Sequence, residues 1–161
     1  MGQVFKIMAN TSIRQGLILL LIIPTMAWSF IGTITQQKHD PLSITRDKEK
    51  IVGIKGVGVE MNDALRTGQG TAEITFEDNT IVQMTESSRL TIDDFVYEPK
   101  NKDAGKLAIR IAAGTARYAS GQIAKDKPQA VKIKTPTATI TVRGTDFTAT
   151  VDEIGATTVI L

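Results

Sequence analysis

Apolar and polar residues alternate with a period of two along much of the second half of the chain. In the stretch 131–151, Val131 and Ile133 share one side, whereas Lys132, Lys134 and a row of threonines occupy the other. Successive side chains of a strand point to opposite faces, so this pattern predicts half-buried strands. No stretch of ten or more residues shows a convincing 3.6-residue apolar period. The pattern predicts an all-β fold, an antiparallel β-sandwich or roll of short strands separated by Gly, Asp and Asn turns.

The hairpin around residues 78–80 allows a register to be predicted. If these three residues form the loop, Phe76 faces Val82 and Ile74 faces Met84. Both strands then present one apolar face, which a two-residue loop would not allow. We therefore expect the three-residue loop.

Residues 1–37 are predicted to be an N-terminal apolar helix that serves as an export signal. No residue between Arg14 and Lys38 is charged, and the run Leu17–Ile34 is dominated by apolar side chains. Lys6 and Arg14 precede this run, and positive charge on that flank favours an N-terminus inside the cell. The bulk of the chain is therefore expected to be exported to the periplasm, the cell surface or the medium.

Two fates of this export signal are open. A retained signal anchor needs about 20 apolar residues to cross a ~30 Å hydrocarbon layer, which Leu17–Ile34 nearly supplies. A signal peptide instead needs a shorter apolar run before small residues at a cleavage site, and Ala27 and Ser29 are small residues two positions apart. An uncleaved helix would add the membrane to the binding partners of the chain.

The remainder divides into two segments by composition. Residues 38–50 are polar and lack a sustained period, so they are interpreted as a linker. Residues 51–161 carry the recurrent strand patterns and form the predicted β domain. Because Leu161 falls within an apolar pattern, we expect that this domain is incomplete at its C-terminus.

Charge and cysteine content narrow the function classes. The formal net charge is +2, and from Asp40 onward 16 Lys and Arg residues face 17 Asp and Glu residues. A near-neutral domain has no electrostatic footprint for nucleic acid. The chain contains no cysteine, which excludes disulfides, thiol catalysis and thiolate metal sites.

The inventory of reactive side chains argues against an enzyme. The single histidine, His39, lies in the predicted linker, and no nucleophile-elbow motif accompanies any serine. The adjacent acidic pairs Asp93-Asp94 and Asp152-Glu153 are typical of solvated or capping positions at turns. We therefore predict no catalytic residue, no cofactor, no metal site and no small-molecule substrate.

Two sets of residues are candidates for binding a protein partner or a second copy of the chain. Arg143 and Thr145 belong to an Arg-Gly-Thr-Asp corner, where the guanidinium either pairs within the fold or meets a partner. Thr137, Thr139 and Thr141 form a polar row that suits an exposed sheet surface or pairing with another strand.

Several motifs in residues 51–161 resemble FecR domains, and they occur in the same order. They are Leu65-Arg-Thr-Gly68, Ala72-Glu-Ile-Thr-Phe-Glu-Asp-Asn-Thr80, Ser88-Arg-Leu-Thr-Ile92, Ile111-Ala-Ala-Gly114, Thr135-Pro-Thr-Ala-Thr139 and Val142-Arg-Gly-Thr145. The resemblance implies an exported β-rich module that occurs in membrane-spanning regulators and in secreted or surface proteins.

The function implied by the resemblance is that of an envelope protein-binding, signalling or scaffold module without enzymatic activity. Regulators of this kind carry a cytoplasmic helical domain, but only about 15 residues precede the apolar run here, too few for a helical core. Anti-sigma activity is therefore not expected. The alternative function is that of a structural subunit in a cell-surface or virion assembly.

Overall fold

The computed structural model describes residues 30–141 and 146–161, and these fold as one curled sheet of 13 strands. Residues 1–29, which include Ala27 and Ser29, and the corner residues Arg143 and Thr145 lie outside the described residues. The prediction of an apolar helix through residue 37 is wrong for its last part, because Gly32–Lys38 is a strand whose backbone pairs within the sheet. The strands are β1 (Gly32–Lys38), β2 (Leu42–Arg46), β3 (Glu49–Gly53), β4 (Gly58–Val59), β5 (Ala64–Arg66), β6 (Thr71–Phe76), β7 (Ile81–Met84), β8 (Arg89–Val96), β9 (Lys106–Ala119), β10 (Val131–Lys134), β11 (Thr139–Thr141), β12 (Phe147–Val151) and β13 (Thr157–Ile160).

The long strand β9 divides the sheet into two halves. The first part of β9 pairs with β8 on one side and with β10 on the other, so the strand order of the first half is β3-β2-β5-β8-β9-β10-β11. The second part pairs with β7 and β12, so the strand order of the second half is β4-β1-β6-β7-β9-β12-β13. Gly114, with a φ of 80°, lies where β9 passes from the first half to the second. The prediction of a mostly antiparallel β fold is confirmed, with the β9–β10 pair as a parallel exception.

Both halves contribute to one apolar core. Ile44 and Leu65 from the first half and Ile34 and Ile74 from the second are at most 1% exposed and belong to the same buried cluster. The rings of Phe76 and Phe95, one from each half, stack with centroids 5.5 Å apart. The inward-facing apolar side chains of the two halves therefore pack against each other inside the curled sheet.

Residues 38–50 are part of this folded sheet, so their interpretation as a linker is wrong. They contain β2 and the start of β3, which pair antiparallel from Leu42–Gly53 to Arg46–Glu49. Leu42 and Ile44 are buried, and β1, upstream of this segment, pairs with β6. A three-residue alternation between charged residues was too short to be recognised as a strand. The folded unit therefore begins well before residue 51.

The hairpin between β6 and β7 has a three-residue loop, but the predicted register is shifted. The loop is formed by residues 77–79, whose last residue has a φ of 63°. Ile74 pairs with Val82, and the Phe76 amide donates to the Thr80 carbonyl at 2.9 Å. The shift keeps the same faces apolar, so alternation alone did not distinguish the two registers.

Asp78 fixes this loop and connects it to a short helix that was not predicted, α1 (Gln122–Asp126). The Asp78 carboxylate, which is buried, accepts hydrogen bonds from the Thr80 amide (3.0 Å) and hydroxyl (2.8 Å) and from the Ile123 amide (3.2 Å). The Gln122 amide donates to the Asp78 carbonyl at 2.7 Å. Two 3-10 turns, Lys102–Ala104 and Pro128–Ala130, flank the same region.

None of the helices in residues 30–141 and 146–161 has the length and apolarity needed to cross a membrane.

Candidate binding surface

The outer side of the first half of the sheet is rich in exposed cations, and we call it the basic face. Cross-strand registers place one row of side chains from Lys50 through Thr45, Ala64 and Thr91 to Arg110. The exposed cations of this face are Lys50, Arg66, Arg89, Lys106, Arg110, Lys132 and Lys134. Because the chain from Asp40 onward is near neutral, this is a local concentration of positive charge.

Two carboxylates on the same face neutralise part of this charge. Asp93 Oδ2 lies 2.8 Å from Arg110 Nη2 and 3.8 Å from Lys134 Nζ, and Asp94 pairs with Lys106. The other cations of the basic face, including Arg66 and Arg89, make no ion pair within the described ranges.

Arg66 and Arg89 stand directly opposite each other on the adjacent strands β5 and β8. They line an open cleft of about 790 Å³, whose floor is formed by small residues of β9 such as Ala112 and Gly114. The far wall is the turn between β12 and β13, residues 152–155. The cleft thus places two guanidinium groups beside a floor of small residues, and Glu153 and Ile154 belong to its far wall.

The threonines predicted to bind a partner have different environments. Thr137 donates to the Gly155 carbonyl at 3.1 Å and lies 2.9 Å from the Thr157 hydroxyl, so it ties two loops together. Thr139 and Thr141 are exposed on β11, opposite Lys134 and Lys132 of β10. In the part of the chain that the structure describes, β11 pairs only with β10, which leaves its other edge open.

The described residues contain no cluster of three or more His, Asp or Glu side chains that could hold a metal ion. Of the acidic pairs considered from the sequence, Asp93 and Asp94 form ion pairs with the basic face. Asp152 Oδ1 accepts the amides of Ile154 (3.1 Å) and Ala156 (2.8 Å), so it caps its own turn.

A partly buried ion cluster at the end of β2 stabilises the fold and contributes no open site. The Arg46 guanidinium donates two hydrogen bonds to Asp63, at 2.8 and 2.7 Å, and one to Glu60 at 2.6 Å. The hydrogen bond with Asp63 raises the pKa of Arg46 above its ordinary value, and the Phe30 ring lies 5.9 Å from the guanidinium carbon. Such a bidentate pair positions the strands that meet there.

A second polar cluster joins the two halves of the sheet. The Thr67 hydroxyl donates to the Thr85 carbonyl at 2.6 Å and accepts the Ser88 amide at 2.9 Å. The Ser88 hydroxyl in turn bonds to the Thr115 backbone.

The residues of this polar cluster fall within or beside the motifs that the sequence shares with FecR domains. A comparison with family models tests that resemblance. The family described as FecR protein matches residues 63–161.

The chain belongs to the FecR family. The match covers more than half of the chain, and the family supports a role related to signalling. No curated protein and no solved structure matches the chain.

The FecR match begins at residue 63, but the folded unit extends further upstream. Strands β1 and β2, outside the match, pair with β6 and β5 inside it. The segment before residue 63 therefore completes both halves of the FecR domain in this chain.

The FecR-like motifs combine structural residues with two exposed arginines. In Leu65-Arg-Thr-Gly68, Leu65 is buried and Thr67 bonds to Thr85 and Ser88, whereas Arg66 is exposed. In Ser88-Arg-Leu-Thr-Ile92, Ser88 and Leu90 are buried, whereas Arg89 is exposed. Sequence reasoning missed these two arginines as a pair because they are brought together only by the β5–β8 register.

Proposed function

We propose that this FecR domain is an exported protein-binding module that acts in signalling or as a scaffold, and that its partner docks on the basic face and the open edge of β11. The observation that carries the proposal is the exposure of Thr139 and Thr141 beside Lys132 and Lys134 on one sheet surface. Family membership supports a signalling-related role and hence protein partners. The role needs no catalysis and no cofactor.

The apolar residues near the basic face also suit a protein partner. Val52 is 64% exposed and lies on this face, in the row that contains Arg66, and Ile54, just beyond β3, is 52% exposed. Protein interfaces combine such apolar contacts with a polar and charged rim. A mixture of this kind supports recognition of a folded or extended protein surface.

Cleavage of the predicted export signal is supported by the position at which the folded unit begins. Ile31 and Ile34 are buried in the core, so they are not available to a membrane helix. The apolar run that precedes them, from Leu17 to Ser29, is about 13 residues, or roughly 20 Å as a helix, which is shorter than a ~30 Å hydrocarbon layer. This length favours a cleaved signal peptide over a retained anchor. The small residues Ala27 and Ser29 immediately precede the folded unit.

The second candidate function is that of a structural subunit in a surface or virion assembly. It is favoured by β13, which pairs only with β12 within the described ranges and exposes Val159 and Ile160. An exposed apolar edge strand is a template for pairing with another copy. In that case the chain would associate with itself through β13 and leave the basic face open.

The experiment that tests the proposal is quantitative capture of proteins from the producing cells by the purified chain. We expect the double variant Thr139→Glu, Thr141→Glu to lose about tenfold in capture, because its carboxylates neutralise Lys132 and Lys134 and repel an acidic partner. The control is Thr71→Glu, which changes an exposed threonine on β6 in the other half. If the Thr139→Glu, Thr141→Glu variant captures as much protein as the wild type, the proposal is wrong. If the chain instead associates with itself in a concentration-dependent way, and substitutions in β13 abolish that association, the second candidate is supported.

A further inference from the structure

The facing arginines Arg66 and Arg89 are uncompensated within this chain. Like charges directly opposite each other on neighbouring strands destabilise a sheet. All 17 acidic residues of the chain lie at or beyond Asp40 and within the described ranges, and none forms an ion pair with either arginine. The arrangement therefore lacks the anion that would stabilise it.

The nearest acidic wall does not supply that anion. Asp152 lines the cleft, but its Oδ1 accepts two amides of its own turn. Glu153 lines the same wall and is exposed, without an ion pair to either arginine. The space between the two walls remains open, and its floor of Ala112, Ala113 and Gly114 leaves room for an incoming side chain.

We propose that this cleft is a carboxylate-binding subsite, in which Arg66 and Arg89 bind an Asp or Glu side chain in an acidic segment of the partner protein. The inference rests on the proposed function and gives the chemistry of that partner. A guanidinium presents a planar fork of donors that matches a carboxylate, and two facing forks supply donors to both carboxylate oxygens. The remaining cations of the basic face would then meet further acidic residues of the same segment.

Charge complementarity favours an acidic protein segment over other occupants. A second copy docked through the same face would bring cations against cations, which costs affinity. An anionic lipid surface is usually bound by basic residues together with aromatic or long apolar side chains that enter the bilayer boundary. The exposed large apolar residues of the basic face are Val52 and Val96, whose side chains are short, and Ile154 is exposed on the far wall of the cleft. No exposed aromatic residue of the described chain joins them on this face.

The test measures binding of a fluorescent hexaglutamate peptide to the protein as purified from exporting cells. We expect binding that weakens as salt is raised, since the contacts are exposed to solvent. Arg66→Gln and Arg89→Gln should each weaken binding about tenfold, as expected for a charge-assisted hydrogen-bonded contact. Arg117→Gln is the matched control, because Arg117 is an exposed arginine of β9 in the other half of the sheet.

A second readout separates recognition from a structural role. If the arginines repel each other in the free protein, each single variant should keep or raise the midpoint of thermal unfolding while it loses the peptide. A variant that lowers both the midpoint and the affinity would assign the arginine to the fold and overturn the subsite. Tighter binding of polyphosphate, or of phosphatidylglycerol mixed into detergent micelles, than of hexaglutamate would also overturn it.

The same variants distinguish failure of this inference from failure of the proposed function. If the wild-type chain captures a protein partner and both arginine variants capture it equally well, the carboxylate subsite is wrong and the binding module stands. If the wild-type chain captures no partner through the basic face, the proposed function itself fails.

Discussion

Ser88 and Thr115 are joined by a reciprocal pair of hydrogen bonds. The Ser88 hydroxyl donates to the Thr115 carbonyl at 3.1 Å and accepts the Thr115 amide at 3.0 Å. This contact lies beside Gly114, where β9 passes from one half of the sheet to the other. The close approach of the two chain segments therefore holds the two halves of the FecR domain together.

Replacing Gly114 with alanine should destabilise the fold by about 2 kcal/mol or more, because a positive φ and a steric clash act together. A Cβ at this position would lie 2.5 Å from the Ser88 Cα, a backbone atom that cannot move alone. The free energy of unfolding in urea measures the effect.

Gly56 provides the matched control for this prediction. Its φ is 93°, but a Cβ there would meet no atom within 4 Å. Gly56→Ala should therefore cost only about 1 kcal/mol, the conformational part of the penalty. Equal losses for the two variants would show that the contact with Ser88 is unimportant.

Alternation within a strand was sufficient to predict the burial of many side chains. Val131 and Ile133 are buried and Lys132 and Lys134 are exposed, as expected. The all-β class was predicted for the same reason, since a period of two identifies a strand wherever the strand is long enough. The segment around Leu42 was missed because its alternation is short and surrounded by charges.

The candidate site depends on long-range register, which alternation does not determine. Arg66 and Arg89 are 23 positions apart in sequence and become neighbours only through the β5–β8 pairing. The helix α1 was missed because five residues are too few for a helical period to be recognised. Its position is fixed instead by the distant carboxylate of Asp78.

The stability of the domain should fall between about pH 10 and pH 12 in a manner that depends on Tyr118. Burial raises the pKa of Tyr118 to about 12, and its ring stacks on Phe147 with centroids 5.2 Å apart. The unfolded chain loses this proton near pH 10, before the native state does, so the contribution is present below pH 10 and is lost as pH rises toward 12.

The variant Tyr118→Phe isolates this effect from the titration of lysines. We expect the difference in unfolding free energy between wild type and variant to change by on the order of 2 kcal/mol across this interval. Chemical denaturation at a series of alkaline pH values measures that difference. A constant difference would mean that the Tyr118 hydroxyl ionises as it does in the unfolded chain.

The mature chain is expected to begin at Phe30 if the export signal is cleaved after Ser29. Ala27→Leu with Ser29→Leu should then block processing, because signal peptidases require small residues at these positions. Met26→Leu is the control, since it alters the same segment without removing either small residue. Intact mass spectrometry of the wild-type product decides: a mass that starts at Met1 would contradict cleavage and support a retained anchor.

The most direct test of the proposed binding function is site-specific photo-crosslinking in living producer cells. A crosslinker at position 139 lies on the basic face, whereas one at position 71 lies on an exposed position of the other half. We predict that position 139 gives a discrete adduct with another protein and that position 71 does not. Adducts that are equal at both positions, or no adduct from position 139, would contradict the account.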